Sequence, residues 1–216
     1  MDHGATRVLL VDDHPLFRAG LRRLLEGDGQ MAVVAEAGTA AEALTQLRLA
    51  VPDLVVLDIS LPDGSGVDLL DTLRAQRPDL AVLFLSAHPE SGFALSLLRA
   101  GAQGYLEKHS PPDRILEAIR TIASGARYLT PTLAQRLAGD VGHAACGHER
   151  LSWRELQVFT RIARGVPPAT TAEELKLSVK TIGTYRTRIL EKLGLTSNAE
   201  LAAYAVRNRL LDPAVH

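Results

Sequence analysis

The sequence predicts an α/β domain with a five-stranded, doubly wound parallel sheet, followed by a small all-α domain of four helices. In the first part of the chain, short apolar runs alternate five times with helical patterns, which is typical of a parallel sheet with helices on both faces. From Leu151 onward only helical patterns appear. The 216 residues are enough for two ordinary domains.

Each unit of the first domain pairs an apolar run with an amphipathic helix. Pro15 suits a first helical position, and Thr39 with Glu42 forms the signature of a capped helix start. The segment 62–64 (PDG) marks a turn before the third helix. The predicted strands are 7–11, 31–37, 54–57, 80–85 and 104–106. The predicted helices are 15–26, 39–50, 65–76, 90–100 and a last one that begins at Pro111 or Pro112 and ends at about residue 123.

A segment with weak periodicity separates the two parts, and we expect one short helix in it, over 131–138. In the second part, Ser152 with Glu155 opens the first helix and Ser178 caps the third. The predicted helices are 153–164, 171–176, 179–193 and 198–209. We therefore divide the chain into an α/β domain over 1–125, a linker over 126–148 and a helical domain over 149–216.

Charge is distributed unevenly behind the net value of −1. Residues 1–149 carry 13 basic and 19 acidic side chains, whereas residues 150–216 carry 11 basic and 6 acidic ones. A basic domain favours nucleic acid as its partner. Random variation of the surface residues is the alternative explanation of this uneven charge distribution.

Composition also limits the kind of protein. No run of 18 apolar residues appears, and the first residues, with a short apolar stretch that leads straight into carboxylates, do not form a signal peptide. The single cysteine, Cys146, excludes an internal disulfide and a cysteine-based zinc cluster. We expect a protein of the reducing cytoplasm with no membrane contact.

Polar residues follow the predicted strands where each strand ends. They are Asp12, Asp13, Asp58, Ser86 and Lys108, and the carboxyl ends of parallel strands form the functional edge of such a sheet. Three carboxylates so close together require a cation, and Mg²⁺ is the hard, oxygen-preferring ion that fits. With the ion bound, an aspartate can attack phosphorus, while Lys108 and Ser86 bind oxygens of the incoming phosphoryl group.

Residues 7–124 resemble the receiver domain of bacterial response regulators. The motifs are Asp12-Asp13, the segment 58–66 (DISLPDGSG), Ser86-Ala87 and the segment 104–108 (GYLEK). The resemblance implies the flavodoxin-like receiver fold.

It also implies residue roles. Asp58 is the phosphoacceptor, and Mg²⁺ is held by Asp12, Asp13, Asp58 and the backbone carbonyl of Ser60. Ser86 and Tyr105 form the switch pair: Ser86 moves toward the phosphoryl group and Tyr105 turns inward. His109 departs from the family pattern, because many receivers have proline directly after the lysine.

The predicted helix 179–193 has an apolar side and a basic, polar side, which suits a helix that lies in the major groove of DNA. We expect Lys180, Thr184 and Arg188 at or near base edges. We expect Thr181, Tyr185, Arg186 and Lys192 at phosphates. A solvated basic face is the alternative.

The segment 151–211 resembles the LuxR-type helix-turn-helix of the NarL/FixJ class. The motifs lie at 151–155 (LSWRE), 164–165, 172–175, 177–182 (LSVKTI) and 188–194 (RILEKLG). Two departures stand out: Gly183 replaces a long polar residue, and Pro167-Pro168 replace a polar stretch and delay the second helix, with Thr171 where isoleucine is common.

The resemblance also implies a dimer contact on the last helix, with Leu201, Tyr204 and Ala205; core packing within the domain is the alternative.

Together these features predict a DNA-binding response regulator that is not primarily an enzyme. A sensor histidine kinase phosphorylates Asp58, and a homodimer then binds double-stranded DNA and changes transcription. A transcription factor that keeps a receiver-like domain but needs no phosphorylation is the alternative. A phosphatase with a DxD pair is disfavoured, because the aspartates after the first strand are adjacent.

Overall fold

A parallel sheet of five strands forms the centre of the first of two compact units. The computed structural model describes residues 5–87, 90–139, 147–175, 177–208 and 210–211. The elements over residues 6–139 are β1 (Thr6–Val11), α1 (Pro15–Gly27), β2 (Met31–Ala37), α2 (Ala40–Ala50), β3 (Leu54–Leu57), β4 (Ser60–Leu61), β5 (Gly64–Ser65), α3 (Gly66–Gln76), β6 (Ala81–Ser86), α4 (Glu90–Arg99), β7 (Gly104–Glu107), α5 (Pro112–Ala123) and α6 (Pro131–Gly139).

The sheet has the spatial order β2-β1-β3-β6-β7, with all neighbours parallel. Its central strand β3 is buried at every position, as the continuous apolar run predicts. Residues Val8 and Val56 share a core cluster with residues of α1 and α5, which lie on one face. Leu9 and Val55 point to the other face and are also fully buried, where α2 contacts β1 and β2. The predicted doubly wound sheet is therefore confirmed.

The turn after β3 is more ordered than the sequence indicates. Strands β4 and β5 pair antiparallel around Pro62 and Asp63. The Asp63 carboxylate accepts hydrogen bonds from the backbone N–H groups of Ala40 (2.8 Å) and Ala41 (3.0 Å) at the start of α2. Thr39 also caps this helix by accepting from Glu42 N. The loop that follows Asp58 is thus fixed to a neighbouring helix.

Packing of the first unit continues beyond residue 125. Tyr128 forms a parallel bridge with Gly104, its N–H donates to the carbonyl of Gln103 (2.9 Å), and it packs against the core cluster. Helix α6 confirms the short helix expected in the linker. The domain limits given above remain predictions.

From residue 147 onward, the described part of the chain forms a 3₁₀ turn (Gly147–Arg150) and four helices: α7 (Trp153–Ala163), α8 (Pro168–Glu174), α9 (Val179–Leu193) and α10 (Asn198–Arg207). All four contribute to one core. Ser152 and Glu155 form the predicted capping box at the start of α7, with Glu155 accepting from Ser152 N at 2.7 Å. Among the described residues, no helix is both long and apolar enough to cross a bilayer.

The expected late start of the second helix is wrong. Helix α8 begins at Pro168, with Pro167 in an extended conformation (φ −58°, ψ 145°) before it. Proline suits the first helical turn because its fixed φ is helical. The backbone N–H groups of that turn have no acceptor within the helix, so the missing N–H of proline costs no hydrogen bond. The two prolines therefore start this helix rather than delay it.

Thr171 occupies the core side of α8. It is fully buried, and its hydroxyl finds no hydrogen-bond partner within the described part of the chain. A buried hydroxyl without a partner costs free energy, because water satisfied it in the unfolded chain.

We predict that Thr171→Val raises the free energy of unfolding of this domain by about 1 kcal/mol, since an apolar methyl replaces the unpaired hydroxyl. Urea unfolding followed by the fluorescence of Trp153, the single tryptophan, measures the change. Thr160→Val is the matched control, because the Thr160 hydroxyl donates to the carbonyl of Leu156 (2.8 Å). Equal effects of the two substitutions would contradict the prediction.

Candidate functional site

Three strand ends bring their polar residues to one point. Asp12 follows β1 and its N–H donates to the carbonyl of Ala37, while Asp58 follows β3 and its N–H donates to the carbonyl of Val11. Lys108 follows β7, and its Nζ lies 2.6 Å from Asp12 Oδ2 and 2.7 Å from Asp58 Oδ2. One ammonium group therefore bridges two carboxylates.

Burial sets the electrostatics of this cluster. Asp12 and Asp58 are only 5% and 4% exposed. Burial raises the pKa of Asp58 above its ordinary value of 3.8, against the opposing hydrogen bond from Lys108. Burial alone would lower the pKa of Lys108, but its hydrogen bonds to Asp12 and Asp58 outweigh that effect and raise it. The negative charge of Asp58 is thus costly, and Lys108 is held in its charged form.

Asp13 and His14 complete the rim of this pocket. Both are exposed, and His14 Nδ1 lies 2.6 Å from Asp13 Oδ1 and 3.2 Å from Asp12 Oδ1. Ligand atoms of Asp12, Asp13, His14 and Asp58 lie within 4.8 Å of one another. His14 is not among the site residues predicted from the sequence, although its position between the aspartate pair and the start of α1 indicates a place in the pocket.

The donor set fits Mg²⁺. Three carboxylates face one ammonium group, which leaves an excess of negative charge and oxygen donors for a hard divalent cation. The N–H of Ser60 donates a hydrogen bond to the Asp58 carboxylate. The carbonyl of Ser60 as a further ligand stays a prediction.

Gly66 gives the chain its close approach to Asp58. A Cβ atom at this position would lie 2.0 Å from the carbonyl oxygen of Asp58. The Gly66 N–H donates to the carbonyl of Ile59 (2.8 Å). Gly66, the first residue of α3, therefore lies directly against the backbone of residues 58–59. A side chain at residue 66 would displace Asp58.

The predicted switch residues are both inside the first unit. Ser86 ends β6 and Tyr105 lies on the neighbouring strand β7, and each is 0% exposed. Tyr105 thus has the inward position that the sequence analysis assigns to the switched state. The movement of the pair stays a prediction.

In the second unit, α9 presents the candidate DNA surface. Ser178 caps the helix by accepting from Thr181 N (3.0 Å), and Ile182, Ile189 and Leu190 are buried in the core. Lys180, Thr184 and Arg188 are exposed on the outer side. A surface pocket of ≈ 310 Å³ is lined by Lys180, Thr181, Thr184, Tyr185 and Arg188.

Two cations predicted at phosphates already have partners within the domain. Arg186 Nε donates to Asn198 Oδ1 (2.7 Å). Lys192 Nζ lies 2.6 Å from Oε2 of Glu155, a carboxylate that is 5% exposed. Burial would raise the pKa of Glu155, but the hydrogen bonds from Lys192 and Ser152 hold it below its ordinary value. Contact of Arg186 and Lys192 with phosphate stays a prediction.

The expected dimer contact needs correction. Leu201 and Ala205 are fully buried in the core of their own domain, so their side chains cannot face a second copy. The Tyr204 hydroxyl accepts from His148 N (2.9 Å), and its ring meets Phe159 edge-on at 6.1 Å. Core packing explains this side of α10.

Comparison with known proteins decides the family. The family model described as response regulator receiver domain matches residues 8–120, and the one described as bacterial regulatory proteins, luxR family, matches residues 149–205. The chain belongs to the response regulators. Its receiver match contains the whole acidic pocket, and its LuxR-type match contains α7, α8 and α9.

Similar proteins cover nearly the whole length of this response regulator. The response regulator UvrY of Escherichia coli K12 is 35% identical over 208 residues, 95% of each chain. The transcriptional activator protein ExaE of Pseudomonas putida is 40% identical over 94% of this chain and 97% of its own. RcsB from Salmonella enterica serovar Typhimurium, solved bound to promoter P1flhDC with the phosphomimetic BeF3−, superimposes with a TM-score of 0.71 at 24% identity, over 93% of this chain and 98% of RcsB.

The raised pKa of Asp58 predicts how stability responds to pH. A carboxyl group with a raised pKa in the folded state stabilises the fold at low pH, and this contribution is lost as the pH rises through that pKa. Asp58→Asn should therefore increase the free energy of unfolding of the receiver at pH 7 in buffer without divalent ions. The increase should shrink as the pH falls toward 3.8, the ordinary pKa of aspartate. Denaturant unfolding at several pH values measures it, and a loss of stability at pH 7 would contradict the assignment.

The Glu155–Lys192 pair predicts a second, independent effect. Lys192→Met should lower the free energy of unfolding of the helical domain by about 1–2 kcal/mol, below the value for a fully buried pair because Lys192 is partly exposed. Thermal unfolding checks this. Lys180→Met, on an exposed side chain of the same helix, should have little effect.

Proposed function

We propose that a sensor histidine kinase phosphorylates Asp58 of this response regulator, and that phosphorylation controls dimerisation and promoter binding to regulate transcription. The observation that carries the proposal is the ammonium group of Lys108 between the carboxylates of Asp12 and Asp58, beside a donor set that fits Mg²⁺.

In the transfer step, an Asp58 carboxylate oxygen attacks the phosphorus of a phosphohistidine, the new O–P bond forms as the N–P bond breaks, and the imidazole leaves with the electron pair. Lys108 already lies 2.7 Å from this carboxylate, so it can pair with an oxygen of the arriving phosphoryl group. Asp12, Asp13 and Asp58 would hold Mg²⁺, which supplies charge neutralisation at the phosphoryl oxygens.

The change at Asp58 is read by its buried neighbours. A phosphoryl group adds charge and hydrogen-bond acceptors at the carboxyl edge of the sheet. Ser86 ends the adjacent strand and can donate to one of these oxygens, and Tyr105 packs on the next strand. This local change biases the receiver between two states.

The output is a LuxR-type domain with α9 in the major groove of DNA. Lys180, Thr184 and Arg188 meet base edges, and Thr181 and Tyr185 meet phosphates at the same pocket. In the dimer, α10 contributes its exposed Ala199, Ala203 and Val206 rather than the buried side of the helix. RcsB has this fold and binds a promoter.

We further propose that the protein acts in the cytoplasm, where its kinase and DNA are accessible, and that it is a regulator rather than primarily an enzyme. A regulator that binds DNA without phosphorylation is the second candidate; the relatives alone do not separate the two, whereas the intact acidic pocket favours phosphorylation.

Phosphoryl transfer is tested first with a small phosphodonor. We predict that the full chain, incubated with Mg²⁺ and acetyl phosphate, gains one phosphoryl group by intact mass, and that Asp58→Asn gains none. Asp71→Asn removes an exposed aspartate of α3 outside the pocket and should behave like the unmodified chain. An adduct on Asp58→Asn would contradict the site, and no adduct on the folded unmodified chain would favour the second candidate.

DNA binding is tested with duplexes selected from a random pool by the full chain. We predict that Arg188→Ala weakens binding to the selected duplex by about 1–3 kcal/mol, the usual value of a base contact. Arg161→Ala removes the same charge from α7, where it pairs with Glu174 at 2.8 Å, and should leave affinity nearly unchanged. Equal losses of affinity for Arg188→Ala and Arg161→Ala in a binding titration would contradict the assignment of the DNA surface to α9.

A further inference from the structure

The middle of the outer face of α9 carries only small side chains at three exposed positions. Gly183, Thr184 and Thr187 are exposed there, opposite the buried Ile182 and Ile189. A Cβ atom added to Gly183 would meet no atom within 4 Å. The helix backbone is therefore uncovered beside the two threonines, and a partner surface can come close to them.

Both threonine hydroxyls are bonded to their own helix. Thr184 Oγ1 donates to the carbonyl of Lys180 (3.1 Å), and Thr187 Oγ1 donates to the carbonyl of Gly183 (3.2 Å). Each hydroxyl has one hydrogen, so neither can donate a second bond to a base. Each hydroxyl can still accept a hydrogen bond, and the methyl group of each side chain is free for apolar contact.

We propose that Thr184 and Thr187 recognise thymine through contact between their methyl groups and the C5-methyl of the base. This inference rests on the proposed function, in which α9 lies in the major groove. Thymine is the base that presents a methyl group there, and threonine methyl contact with it is a known form of base recognition.

The spacing of the two residues suits neighbouring base pairs. Residues three apart lie on one side of a helix, separated by about 4.5 Å along its axis. Successive base pairs are about 3.4 Å apart, so the two methyl groups can meet one or two adjacent thymines. Lys180 and Arg188 flank them on the same exposed face and supply charge toward the DNA.

The test replaces single methyl groups on both partners. Duplexes are selected from a random pool by the full chain after treatment with acetyl phosphate and Mg²⁺. Each thymine of the selected site is then exchanged for deoxyuridine, which lacks only the methyl group. We expect at least one exchange to weaken binding about fourfold, the change that corresponds to one buried methyl group.

Two substitutions at each threonine separate methyl contact from hydroxyl contact. Thr184→Val and Thr187→Val keep methyl groups and should keep the sensitivity to deoxyuridine. Thr184→Ser and Thr187→Ser keep the hydroxyl, and the double variant that carries both substitutions should bind thymine and deoxyuridine duplexes equally. Circular dichroism confirms that each variant is folded.

Three results would overturn the inference. Binding of the unmodified chain that is insensitive to every deoxyuridine exchange overturns it alone, with the proposed function intact. Sensitivity kept by the serine variants and lost by the valine variants assigns recognition to the hydroxyl instead. Failure to bind any duplex overturns the proposed function, and the inference with it.

Discussion

The chemistry of the receiver domain depends on one buried arrangement of charge, the Lys108 ammonium group between the carboxylates of Asp12 and Asp58. Removing ionised groups from water is costly, and it is tolerated only where opposite charges and hydrogen bonds compensate. Parallel strands bring these residues together because all their carboxyl ends lie at one edge of the sheet. Lys108 compensates part of the charge, and Asp13 adds a further carboxylate at the rim. The excess negative charge fits the proposed binding of Mg²⁺ in this pocket and, with it, of a phosphoryl group.

Much of this arrangement could be predicted, because strand ends are visible in the sequence. Continuous apolar runs followed by Asp12, Asp58, Ser86 or Lys108 define both the sheet and the edge at which chemistry occurs. The helix starts were predictable where a side chain caps the backbone, as Ser152 and Glu155 do for α7. Sequence motifs that act locally, such as helix caps and strand ends, are therefore the ones that predict structure reliably.

Features that depend on contacts distant in the chain were less predictable. The apolar stripe of Leu201 and Ala205 has the same pattern whether it meets its own core or a second copy, and only the fold shows that it is buried. The charge of Lys192 looks free in the sequence, but its partner Glu155 comes from another helix. Pro167 and Pro168 are compatible both with a loop and with a helix start, and only the fold shows that α8 begins at Pro168.

In the helical domain, side-chain contacts between helices leave one exposed face of α9 for the proposed contact with DNA. Glu155 joins the start of α7 to Lys192 near the end of α9, and Arg186 joins α9 to Asn198. The helix proposed to contact DNA is thus oriented by side chains that need not touch DNA themselves. The outer face of α9 carries short side chains and the cations Lys180 and Arg188, which are exposed. Substitutions there can change base preference without loss of the fold.

The carboxylate cluster around Lys108 is proposed to hold a divalent cation, and a titration with Mg²⁺ tests this most directly. The melting temperature of the full chain should rise with Mg²⁺ concentration at pH 7, because an ion that binds only the folded state stabilises it. Asp13→Asn, which removes one ligand at the exposed rim, should respond much less. A melting temperature that does not change with Mg²⁺, or that rises equally in both proteins, would contradict the account.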